Sequence, residues 1–325
     1  MRVFVFEYLT ALGIGRDTAD PRHAMYREGR AMREAVAEDF GRIPGSAVKV
    51  MAQPADDPET TFRSTAGRCD FTLVIAPESD GLLARYCREA RQTSSHVLNP
   101  SAEAVELTSD KLALATHWRE RGVRTPATTD RPPTRCEAFP VVWKPRDGAG
   151  STATFLLRDA FEVVRATRLV EGEESAGPMI LQEFVPGTAA SVAFLCGPAG
   201  NVPLLPTFQH LSDDGRFQYR GGELPFPPDL AARAVQVATH AVGCVGGLKG
   251  YVGIDVILGD AADGSRDYAV EINPRLTTSY VGLRALADFN LAAAMLAVAA
   301  GESHTDYRWR PGHVRFTARG TISGP

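Results

Sequence analysis

Lysine is nearly missing from this 325-residue chain: its 35 basic side chains comprise 31 arginines and only Lys49, Lys111, Lys144 and Lys249. Charge of either sign is also scarce in excess. The formal net charge is −4, with no run of Lys and Arg to create a strong positive field, so nucleic acid and anionic lipid are not expected partners. Cysteine is sparse and unpatterned. Cys69, Cys87, Cys136, Cys196 and Cys244 are odd in number and lack CxxC spacing, which argues for reduced thiols rather than a disulfide framework or a thiolate metal site. Long apolar runs are missing too: the Ala-rich stretch Leu291 to Ala300 falls far short of the ~20 residues needed to span a bilayer. Residues 1–9 read as a strand rather than a leader, so a cytoplasmic location is expected.

What is present suits a chain of two domains or three small ones, with 44 % hydrophobic residues available for cores. Strand and helix signals alternate over residues 1–100: Val3 to Phe6, an amphipathic run from His23 to Phe40, Ala47 to Met51, Phe71 to Ile75, Gly81 to Arg91, then Val97-Leu98. This is the pattern of a small open parallel sheet, whose ligands collect at the carboxyl ends of strands, here Glu7, Glu78 and Asn99. The pair Gly13 and Gly15 lacks the third glycine of a dinucleotide fingerprint, since Thr18 stands there. A helix with a Ser109/Asp110 cap signal carries Lys111 in its first turn and stops at Gly122. Beyond a Pro-rich segment a compact lid is expected, running from Val141 to Val185. The remainder should hold a strand at Ser191 to Leu195, an irregular stretch over 206–228, a helix from Pro228 to Val245, a hairpin, and one apolar helix from Leu286 to Ala300. The Arg- and Gly-rich tail from Tyr307 carries no readable signal.

The hairpin carries the most chemistry. Its strands, Tyr251 to Leu258 and Tyr268 to Asn273, flank a loop from Gly259 to Asp267 centred on residue 263, and symmetric pairing sets Asp255 opposite Glu271. Side-chain alternation then turns Glu271 and Asn273 to that same face. Opposed carboxylates about 5 Å apart repel unless a cation lies between them. Two carboxylates and an amide oxygen suit a hard ion, Mg²⁺ or Mn²⁺, shared with phosphate; the plain alternative is a solvated sheet face. In Lys144-Pro145-Arg146-Asp147-Gly148-Ala149-Gly150-Ser151 a lysine precedes a glycine turn that could wrap an anion with backbone N–H groups, or be an ordinary hairpin turn. A Walker A loop has the opposite order. Gln182-Glu183-Phe184-Val185 could edge a purine where one domain passes into the next, or be a core strand.

Taken in order, Lys111, Lys144 with its glycine turn, QEFVPG at Gln182 to Gly187, and Asp255…Glu271-x-Asn273-x-Arg275 resemble the ATP-grasp superfamily of carboxylate-amine ligases. The resemblance implies an α/β fold of the α+β grasp type. A small parallel-sheet unit (1–108) would precede a linker helix and lid (109–184) and a metal-bearing lobe (185–325). It implies ATP and Mg²⁺ (or Mn²⁺) as cofactors. Lys111 and Lys144 would lie on the α- and β-phosphates, Gly148, Ala149, Gly150 and Ser151 over the β- and γ-phosphates, and Gln182, Glu183, Phe184 and Val185 at adenine. Asp255, Glu271 and Asn273 would hold metal, with Arg275 and Lys144 as the catalytic cations. Ala189 stands where these enzymes usually carry a ribose-binding glutamate.

Val3 to Tyr8, Arg27-Glu28-Gly29-Arg30-Ala31-Met32 and Ile75 to Glu78 further resemble the tyramine-glutamate ligase group of methanofuran-type cofactor synthesis, although Leu9 to Gly13 replaces that group's glycine-rich turn. This implies an amide bond formed through an acyl-phosphate, joining glutamate to an aromatic amine or amino acid. Expected substrate contacts are Glu7, Glu78, and Arg220 and Gly221 in a loop preceded by Gln209-His210. An ATP-grasp kinase or a non-catalytic ATP-binding protein would share the nucleotide residues. The partners expected are a small carboxylate and an amine, with a homodimer as the expected assembly.

Overall fold

The computed structural model describes residues 1–93, 95–135, 138–148, 150–171, 177–302 and 307–324. Val3, Phe4, Val5 and Phe6 are all fully buried because strand Arg2–Glu7 lies inside a parallel sheet covered on both faces. That sheet runs in the order Ala47–Val50, Arg2–Glu7, Phe71–Ile75, His96–Val97. Helix His23–Gly41 packs on one face through Met32, Val36 and Phe40. Helices Pro58–Ala66 and Leu82–Arg91 pack on the other, where Phe4, Phe6, Phe62 and Tyr86 form an aromatic cluster. Asp57 caps the Pro58 helix by accepting from the Thr60 N–H; this helix was not expected from the sequence.

The lid is a four-stranded antiparallel sheet ordered Thr128–Thr129, Met179–Glu183, Val141–Pro145, Phe155–Leu157, backed by helix Ala160–Glu171. Trp143, Phe155, Leu157, Val163 and Leu181 give it a small core of its own. The third sheet is antiparallel, ordered Asp267–Asn273, Gly250–Leu258, Thr188–Gly197, Thr207–Leu211, Tyr219–Leu224, Val314–Thr317, Ile322–Ser323, with Gly200–Pro203 paired to Thr188–Gly197. Helix Pro228–Gly243 covers it, and Trp118 of helix Lys111–Glu120 donates its indole N–H to the Ala241 carbonyl across that layer.

Three expectations are corrected. Residues 206–228 are not irregular but contribute two strands, and the tail completes the same sheet by pairing Gly221 with Thr317 and Leu224 with Val314. The expected helix from Leu286 to Ala300 is the shorter Leu291–Ala299, which starts where the Asn290 side chain accepts from the Ala293 N–H, and Leu286 instead ends a separate helix, Ser279–Leu286. Among the described residues, no helix is long and apolar enough to cross a membrane. Cys69, Cys87, Cys196 and Cys244 are free thiols as expected; Cys136 lies outside the described residues.

Candidate active site

The hairpin pairs in the symmetric register, Gly253 with Asn273, Ile254 with Ile272 and Asp255 with Glu271, before a bulge follows Asp255. Ile254 and Ile272 are buried on the core face, so Asp255, Glu271 and Asn273 share the other. The Asn273 amide donates to Asp255 at 3.2 Å, and Gln209, arriving from strand Thr207–Leu211, donates to the other Asp255 oxygen at 2.9 Å. Burial and the adjacent Glu271 push the Asp255 carboxyl up. Burial also acts upward on Glu271, but the ammonium groups of Lys111 and Lys144 outweigh it and hold that carboxyl below its ordinary value. The two acids are thus crowded and partly desolvated, the condition a divalent cation relieves. Among the described residues no three His, Cys, Asp or Glu side chains gather; a metal on this face could take the two carboxylates and the Asn273 amide oxygen, with phosphate or water oxygens completing its shell. That oxygen-only donor set fits Mg²⁺ or Mn²⁺.

Both flagged lysines converge on this face. Lys111 follows the helix cap Asp110, whose carboxylate accepts from the Leu112 and Ala113 N–H groups, and its Nζ lies 3.1 Å from the Gly148 carbonyl and 4.0 Å from Glu271. Lys144, on the central lid strand, is 8 % exposed, and burial lowers its ammonium to about 8, with Lys111 adding to the fall and Glu271 opposing it. The glycine turn folds down over them: Asp147 accepts from the Asp80 N–H at 3.1 Å, and Ser151 donates to the Phe217 carbonyl at 2.8 Å. Gly148 and Gly150 both have positive φ, which turns the backbone sharply between the lid strands. Ala149 lies outside the described residues. The space left beneath the turn, lined by Glu78, Lys111, Gly148, Glu271 and Asn273, is about 10 Å³.

At the hinge, Gln182 is buried and donates to the Thr128 hydroxyl. Glu183 is exposed, its carboxylate accepting from the Ala127 N–H at 3.3 Å. Phe184 stacks with Phe217 at 6.2 Å, and Val185 is half-buried beside it. Ala189 pairs with Ile257 inside the sheet.

The expected substrate contacts divide. Glu7 is buried as the cap of helix Tyr8–Leu12, accepting from the Leu9 and Thr10 N–H groups, which explains why no glycine-rich turn follows the first strand. Asn99 is likewise occupied, bonding both polar groups of Val74. Neither offers its side chain to a ligand. Glu78 does reach the site, where Arg275 approaches it through Nε at 2.9 Å and a terminal nitrogen at 3.2 Å. Arg220 and Gly221 are not in a loop but in strand Tyr219–Leu224. Gly221, at φ +135°, runs so close to the tail that a Cβ would come within 2.0 Å of the Phe316 carbonyl oxygen. Tyr219 faces Glu28 and Asp255, so alternation turns Arg220 to the exposed side near Asp214. Sequence reading assigned no role to Gln209, Tyr219 or Phe217, which long-range pairing brings in. It also left Glu28 without one: its carboxylate accepts from the Thr278 hydroxyl, and burial pushes its carboxyl up against the opposing pull of Arg275.

With this geometry in view, the chain can be compared with known proteins. The ATP-grasp domain family matches residues 108–279, and a pre-ATP-grasp domain family matches residues 36–105. The chain is 30 % identical over 217 residues to the tyramine–L-glutamate ligase of Methanocaldococcus fervens and 30 % over 215 residues to that of Methanocaldococcus jannaschii. These alignments cover 67 % and 66 % of this chain but only 62 % and 58 % of the relatives' own lengths. A crystal structure from Archaeoglobus fulgidus assigned to the ATP-grasp superfamily superposes with a TM-score of 0.73 at 26 % identity, covering 97 % of this chain and 92 % of that one. The chain belongs to the ATP-grasp family, with an α/β fold whose small parallel sheet precedes the lid and the antiparallel lobe.

Proposed function

We propose that this protein is an ATP-dependent carboxylate-amine ligase that joins glutamate to an aromatic amine or amino acid. The observation that carries the reading is the opposed pair Asp255 and Glu271, with Asn273, set beside Lys111 and Lys144 under a glycine turn. Activating a carboxylate by phosphorylation needs charge neutralisation and alignment rather than a protein nucleophile, and these residues supply both. Asp255, Glu271 and Asn273 would hold Mg²⁺, which neutralises phosphate charge when bound.

In this reading Lys111 and Lys144 meet the α- and β-phosphates, Gly148 to Ser151 cover the β- and γ-phosphates, and the backbone of Glu183 to Val185 meets adenine beside Phe184. Arg275, oriented by Glu78, faces the transferred phosphoryl group. A substrate carboxylate oxygen bonds to the γ-phosphorus as the bond to ADP breaks. The amine nitrogen then bonds to the acyl carbon, phosphate leaves, and the amine gives up a proton. Glu28, whose carboxylate accepts from the Thr278 hydroxyl, would hold the incoming amine. A lid closing over the site would serve the same chemistry, since water would hydrolyse an acyl-phosphate.

The test is incubation of the purified protein with ATP, Mg²⁺, glutamate and a panel of aromatic amines and amino acids, reading ADP and product mass together. Equimolar ADP and a product of mass acid plus amine minus water are expected. ADP formed without any amine requirement, with a phosphorylated acid as the stable product, would point instead to a kinase.

A further inference from the structure

A second concave site lies away from the metal hairpin, where helix His23–Gly41 meets the tail of the chain. This open concavity has a volume of about 520 Å³ and is lined by Arg16, Arg27, Arg30, Arg319 and one acid, Glu34. In a chain of net charge −4, four guanidinium groups here face a single carboxylate. Glu34 is paired with Arg30 at 2.7 Å, whereas among the described residues no carboxylate pairs with Arg16, Arg27 or Arg319. Among the described residues these three exposed guanidinium groups line one concavity with no carboxylate partner, so the concavity carries a positive field that favours an anion bridging them.

The cleft is built rather than incidental. Gly320 sits so close to helix His23–Gly41 that a Cβ would come within 2.5 Å of the Ala31 Cβ, which brings Arg319 over the same helix face as Arg27 and Arg30. Positions 23, 27, 30 and 34 follow the helical repeat, so their side chains share one stripe. His23 is held by a 2.9 Å hydrogen bond between Nδ1 and the Gly15 carbonyl, and its ring stacks against Tyr26 at an interplanar angle of 17°, giving the charged walls an aromatic side.

We infer that this cleft binds a small polyanion carrying at least two carboxylate or phosphate groups, at a site separate from the nucleotide. Guanidinium groups suit both anions, because each presents two oxygens to a planar donor pair. The inference stands apart from the ligase reading, since it rests on residues that take no part in it.

The test is calorimetric titration of the full chain, with its nucleotide site first saturated by AMP-PNP and Mg²⁺, using tricarballylate as the carboxylate probe and tripolyphosphate as the phosphate probe. One-to-one binding of either probe is expected, weakened about tenfold or more in Arg27→Gln/Arg319→Gln. AMP-PNP affinity should be unchanged in that variant, since both side chains are exposed. The probe that binds more tightly identifies the anion class. Absence of binding by both probes would overturn the inference. So would equal affinity in the double variant, or an equal loss in the charge-matched control Arg165→Gln/Arg168→Gln on the exposed face of the lid helix.

Discussion

Among single residues, charge accounting separates the carboxylates that looked equivalent in sequence. Glu7 is consumed by a helix cap and Glu78 by Arg275, and in the proposed reaction Glu28, bonded to the Thr278 hydroxyl, would be the acid that receives the amine. Glu28→Gln keeps the shape and the hydrogen bond but removes the charge, so KM for the amine should rise about tenfold while KM for ATP stays unchanged. Steady-state kinetics with each substrate varied in turn would check this, and an equal rise in both constants would assign Glu28 a purely structural part. The face shared by Asp255, Glu271 and Asn273 was legible from strand alternation and hairpin pairing, although the pairs next to the loop are shifted by one and the bulge after Asp255 restores the register that sets Asp255 opposite Glu271. Glu28 and Gln209 were not, because each reaches the site from an element distant in sequence: Glu28 lies 250 residues from its partner Thr278. Gly221 was misread for a physical reason too. A Gly-Gly pair resembles a turn, yet here it lets two strands approach more closely than any side chain permits.

At the level of elements, the lid is fastened at several points. Loop Ser212 to Gln218 reaches it twice, by the Ser151 hydroxyl on the Phe217 carbonyl and by the Leu156 N–H on the Gly215 carbonyl at 2.7 Å. Arg146 anchors its turn to the cap of helix Lys111–Glu120, with Nε 2.8 Å from an Asp110 oxygen. Burial acts upward on the Asp110 carboxyl, but the Arg146 bond and the Ala113 and Leu112 amides outweigh it and hold it below the ordinary value of 3.8. Its contribution to stability is therefore complete above that value and lost as pH falls through the lower, folded one. Asp110→Asn, which retains the cap, should flatten this acid limb, and Asp110→Ala should cost about 1 kcal/mol more at neutral pH through the lost cap. Urea unfolding across the acid range would measure both. The helix itself was readable from Asp110 and Gly122; the strand pairing of the tail was not, since its partner lies about ninety residues earlier and no local periodicity marks it.

Across the whole molecule, the amino-terminal sheet and the antiparallel lobe are joined by a common core. Val3, Val5, Val36 and Phe40 pack in one cluster with Leu276, Tyr280, Leu283 and Met295. Asp39 locks that junction, accepting from the Tyr280 hydroxyl at 2.8 Å and from Arg284 at 2.6 and 3.0 Å. Asp39→Ala leaves a guanidinium and a buried phenol without their partner, so the full chain should lose about 3 kcal/mol of stability, read by chemical denaturation. The lid, by contrast, has a separate small core of its own. The proposed reaction requires a cation-dependent phosphate site between these parts, and calorimetry with AMP-PNP tests that requirement most directly. With Mg²⁺ present, binding to the native chain should be at least about tenfold tighter than in EDTA, and Glu271→Gln should erase that difference without unfolding the protein. Equal affinity with and without the cation, or a magnesium effect that survives Glu271→Gln, would contradict the account.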